Sequence, residues 1–161
     1  MADTTGAANG ERRAERLELR VPTSRTQLPA VRAMAADLAL RMDFDLDAVE
    51  DLRLAVDEAC ATLADVVLAD SPLTVVFEVA RDGLRIDAWV PTPAGTDVPR
   101  DGFGWAVLHT LVDKVEAGPS TSSTVPAGDG EDRPVVCIAL VKELLRPVVP
   151  AGAVDDVSVA R

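Results

Sequence analysis

Residues 74–91, TVVFEVARDGLRIDAWVP, hold two runs of period-two alternation around Asp82-Gly83. Val75, Phe77 and Val79 share one parity before the turn; Leu84, Ile86, Ala88 and Val90 share one after it. Asp-Gly between two such runs signals a tight hairpin, because glycine accepts the positive φ that such turns demand. A hairpin of this kind commits the chain to an antiparallel sheet with an apolar face, and other elements must cover that face.

The cover is legible in residues 51–67, DLRLAVDEACATLADVV, where Leu52, Ala55, Val56, Ala59, Leu63 and Val66 recur at helical spacing. The helical pattern extends over 43–70, with Asp45 or Asp47 as its cap. Residues 23–42 predict an earlier helix capped by Thr23 or Ser24, with Leu28, Val31, Met34, Ala35 and Leu38 as its stripe. Pro29 fits its first turn, where a missing N–H costs little. A third helix is expected over 105–115, with Trp105, Leu108, Leu111 and Val112 inward. LELRVP at 17–22 and VVCIALVKEL at 135–144 read as strands.

The order β, α, α, β, β, α, β predicts an α+β fold: a two-layer sandwich, mainly antiparallel sheet with helices on one face. Residues 1–14 read as a disordered tail, 15–145 as the domain, 118–134 as a mobile loop within it, and 146–161 as a flexible tail.

The net charge of −11 and an aromatic content of 3% argue against a nucleic-acid binder, which needs clustered Lys and Arg and stacking rings. The charge suits a basic protein partner, or serves solubility alone. Cys60 and Cys137 read as buried thiols, and a bridge would require neighbouring elements with suitable geometry. No apolar run approaches the roughly 20 residues of a membrane span, and no secretory h-region opens the chain, so a cytoplasmic protein is expected. His109 has no partner at ligand spacing and reads as packed or capping.

LRLAVDEACATLADVV followed by GFGWAVLHTLVDKVE resembles the bacterial anti-sigma-factor serine kinases of the RsbW and SpoIIAB type, in the GHKL (Bergerat-fold) ATPase superfamily. The resemblance covers about residues 17–145. It implies a sigma-factor partner, a STAS-type anti-anti-sigma antagonist, a homodimer, and an ATP and magnesium site. In that family a helical Glu is the candidate base for phosphoryl transfer, and an Asn four residues later holds magnesium. Glu58 stands at the first position and Thr62 at the second. Val90 stands where the family has an adenine-binding Asp, with Asp87 three residues early, and the lid over the phosphates is cut short. Gly102 and Gly104 match the family's second glycine turn, whose backbone N–H groups approach phosphate; they also suit a plain helix entry.

Arg32 matches a family arginine that contacts both protein partners; local pairing with Asp37 or Glu50 is the alternative. Glu58 is accordingly either a working base or a rim acid. The leading expectation is an anti-sigma factor with weak or lost nucleotide binding and no required cofactor, and the alternative is an active serine kinase.

Overall fold

The structure, a computed structural model, describes residues 15–126, 128 and 130–145. Among them the order is β1 (Glu15–Pro22), α1 (Leu28–Arg41), α2 (Leu46–Ala64), β2 (Pro72–Ala80), β3 (Gly83–Pro91), α3 (Phe103–Leu111), β4 (Lys114–Thr121) and β5 (Pro134–Glu143). The strands form one sheet in the order β1-β2-β3-β5-β4, antiparallel at every step. The expected tails, 1–14 and 146–161, lie outside the described residues.

The hairpin pairs Phe77 with Ile86 and Val75 with Ala88; β5 then sets Ile138 opposite Ala88 and Val136 opposite Val90. These side chains join Leu52, Val56 and Leu63 of α2 in a single apolar core. Each fully buried Leu or Ile there contributes about 1.5–3 kcal/mol relative to exposure. The turn sits one residue earlier than Asp82-Gly83, since Ala80 pairs with Gly83 and leaves Arg81 and Asp82 as its tip. Gly83 serves space rather than positive φ, because a Cβ on it would stand 2.5 Å from the Lys142 carbonyl oxygen.

The helix ends differ from the periodicity. Asp45 caps α2 as expected, accepting the Ala48 N–H at 2.8 Å. Gln27, not Thr23 or Ser24, is the N-cap of α1, and it makes no side-chain cap bond. Thr23 instead donates to the Ser71 carbonyl at 2.5 Å, tying the entry of α1 to the start of β2. The second helix stops at Ala64; Val66 still packs on the core, and Asp70 turns the chain at φ 60°.

The third helix is shorter than its pattern, and the sequence reading missed a strand. Val112 is already extended at φ −132°, ψ 162°, and Lys114–Thr121 pairs with β5 along its whole length. Gly118 and Pro119, read as the opening of a loop, lie in this strand; proline is tolerated there because β4 is a sheet edge.

From Ser122 the chain packs across the face of the sheet opposite the helices. Val125 joins Trp89 and Val135 in a second small core, with Cys137 against it, and the Trp89 indole N–H donates to the Pro126 carbonyl at 2.9 Å. The sheet therefore separates Cys60, in the main core, from Cys137, and both are free thiols. Desolvation, reinforced by the charges of Asp57 and Asp87 respectively, pushes each thiol up to about 12. Among the described residues no helix is long and apolar enough to cross a membrane.

Candidate functional site

α1 and α2 are joined by residues 42–45 alone, so they pack as an antiparallel pair and residue 32 falls opposite the middle of α2. There the Arg32 Nη1 donates to Asp57 Oδ2 at 2.8 Å, with side chains 36% and 32% exposed. The two acids weighed as local partners are engaged elsewhere: Asp37 with Arg41, and Glu50 with Arg53. Asp57 was the residue that sequence reasoning missed. The short helical connection was the signal, since it fixes which positions of the two helices face each other.

Glu58, the next residue, is half-buried on the other flank of α2 and turns toward α3. Its carboxylate fills the place a Cβ on Gly104 would take. Gly102 is the N-cap of α3 and Gly104 lies in its first turn, so Glu58 sits at the positive end of that helix. Thr62, one turn beyond Glu58, returns its hydroxyl proton to the Glu58 carbonyl at 2.9 Å. This i−4 back-bond is a common use of Thr inside a helix. The structure thus brings Glu58, Thr62 and the Gly102–Gly104 turn into one neighbourhood, with Arg32–Asp57 on its far flank.

The remaining sequence candidates lie apart from it. Val90 is fully enclosed in the apolar core. Asp87 is on the opposite face of the sheet, 2% exposed, where both its oxygens accept from Arg85 at 2.8 Å. That bond, first among the causes, raises the Arg85 pKa. His109 is exposed in the last turn of α3, its ring edge-on to Trp105 at 5.1 Å. A cleft of about 300 Å³ lies between Asp87, Glu116 and Cys137, and another of about 590 Å³ between the end of β1 and residues 67–72. Neither is lined by Glu58, Thr62, Gly102 or Gly104.

The family described as the histidine kinase-like ATPase domain matches residues 21–125. This chain belongs to that family. It is 34% identical over 117 residues to the anti-sigma-F factor RsbW of Mycobacterium tuberculosis, covering 72% of this chain and 70% of the relative. It is 25% identical over 124 residues to the serine-protein kinase RsbW of Bacillus cereus, covering 65% and 78%. The Bacillus mycoides protein of the same name is 25% identical over 122 residues.

Membership implies ATP and magnesium, and the residues present fit them poorly. An enclosed Val90 offers no acceptor to an adenine amino group, and a buried unpaired donor costs about 1–3 kcal/mol. The Thr62 side chain is shorter than the family's Asn and its hydroxyl is turned back to the Glu58 carbonyl, and the Glu58 carboxylate lies against the glycine turn. What the arrangement does present is a helical face on which Asp57 pairs with Arg32 while Glu58 makes no ion pair among the described residues.

Proposed function

We propose that this chain is an anti-sigma factor, holding an alternative sigma subunit away from RNA polymerase in the cytoplasm, with nucleotide binding weak or lost. The observation that supports the second half is Val90, sealed in the core, where the resemblance puts the family's adenine-selecting Asp. The 34% identity to a protein named anti-sigma-F factor supports the first half. Occlusion of a sigma subunit requires no chemistry, only a surface, and the net charge of −11 suits a partner with basic DNA-binding segments.

In this reading Arg32 is a partner contact. Its guanidinium makes one hydrogen bond among the described residues, to Asp57, and keeps further donors for a partner carboxylate. A STAS-type anti-anti-sigma protein releases the sigma subunit by competing for an overlapping surface, and the chain acts as a homodimer.

Calorimetric titration of the chain with each sigma subunit of its own genome, without nucleotide, tests the proposal. One subunit binding at about 1 μM or tighter is the expected outcome; binding to none of them sinks it. Arg32→Ala then weakens the observed binding, while melting shifts little because a part-exposed ion pair contributes about 0.2–1 kcal/mol.

A second reading, a serine kinase acting on the STAS protein, draws on Glu58 beside the Gly104 turn and on the name of the Bacillus relatives. ATP with magnesium binding tighter than about 10 μM, together with phosphate transfer to a STAS protein, would establish it over the first.

A further inference from the structure

We propose that the solvent face of the helical layer, centred on Leu54, receives the sigma partner through a cationic amphipathic helix of that partner. This rests on the anti-sigma reading above. Leu54 stands on α2 at 56% exposure, and Phe103, the first residue of α3, at 87%. Glu58 links the two. Leu54 precedes Glu58 by one helical turn, and Glu58 fills the space beside Gly104, the neighbour of Phe103. An apolar anchor, a carboxylate and an aromatic anchor therefore run in sequence from α2 onto α3. Aromatic side chains that are exposed in the free protein and become buried are the usual centres of binding energy at interfaces.

Charge specifies the occupant. The positions three and four residues to either side of Leu54 are Glu50, Asp51, Asp57 and Glu58, so the anchor is ringed by acids. Glu50 pairs with Arg53, Asp51 with Lys142 and Asp57 with Arg32. Glu58 has no ion pair among the described residues. A cation arriving between Leu54 and Phe103 meets this carboxylate, while Arg32, paired with Asp57 at the α1 edge of the same face, stays open to a partner carboxylate there. Spacing favours a helix: side chains three or four apart on a helix lie about 5–6 Å from each other, so an apolar residue and a Lys or Arg one turn away match Leu54 and Glu58. Ridges of such a helix settle into the groove that α2 presents.

The test uses the full chain and the sigma subunit that binds it. Phe103→Ser and Leu54→Ser each weaken that binding about tenfold or more, with melting curves unchanged. Glu58→Gln weakens it and flattens its dependence on salt between about 50 and 300 mM. Leu68→Ser, the same loss of an exposed apolar side chain beyond the end of α2, alters it less than about twofold. If Phe103→Ser and Leu54→Ser bind like the unaltered chain, this surface is overturned while the anti-sigma reading stands. If the unaltered chain binds no sigma subunit, both fall together.

Discussion

The carboxylate of Glu58 occupies the space beside Gly104 that any larger residue would need. Gly83 is confined as well, but by the backbone of Lys142 rather than by a side chain. The difference sets the cost of replacement. In Gly104→Ala the Glu58 side chain swings aside at about 0.5–1.5 kcal/mol, the range of an off-rotamer side chain. Urea unfolding of Gly104→Ala, Glu58→Ala and the double variant should show most of that cost vanish when both are changed. In Gly83→Ala two paired strands must part, so a loss of about 1–3 kcal/mol is expected and no single side-chain truncation should restore it.

Lys142 joins three elements. From β5 its ammonium reaches Asp51 of α2 at 3.1 Å and the Leu111 carbonyl at the end of α3 at 2.8 Å, with only 16% of the side chain exposed. Lys142→Met leaves an orphaned helix carbonyl and an unpaired, half-exposed acid. Chemical denaturation should report a loss of about 1–3 kcal/mol that changes little with salt, because partly buried pairs are poorly screened.

The Trp89 indole anchors the crossing segment through Pro126. Trp89→Phe keeps most of the apolar contact with Val125 and Val135 but removes that bond, worth about 1 kcal/mol. Hydrogen exchange should quicken at the Val125 amide, which is bonded to the Thr121 carbonyl, while the Phe77 and Ile86 amides in the central hairpin keep their protection.

Alkaline stability should carry the signature of Cys60. Burial raises its folded pKa from 9.0 to about 12, so above pH 9 the unfolded chain loses a proton that the native chain retains. The unfolded state then binds fewer protons, and stability falls as pH rises from 9 toward 12. The slope approaches about 1.4 kcal/mol per pH unit for one thiol. Cys60→Ala should reduce that slope in a pH series of denaturant melts. Neither native thiol should react with iodoacetamide near pH 8, because the thiolate is the nucleophile.

Periodicity and turn chemistry, both local, were enough to define the two-layer plan. The alternation around Asp82-Gly83 fixed which residues of the hairpin face the helices, and the stripe from Leu52 to Val66 identified the helix that covers them. Asp45 was readable as a cap because capping uses a side chain three residues from its donor. The neighbourhood of Glu58 and Thr62 was readable for the same reason, being one turn of one helix.

Contacts between distant residues were decided only by the tertiary structure. Strand β4 was hidden because Gly118 and Pro119 carry loop chemistry, and its pairing is supplied by residues 134–141. The burial of Trp89 follows from a segment more than thirty residues away that packs on the second face of the sheet. Arg32 found Asp57, and Glu58 found Gly104, through the packing of helices whose relative placement no short window of sequence encodes. Propensity and periodicity act within one element; charge pairing and close approach depend on which elements the common apolar core draws together.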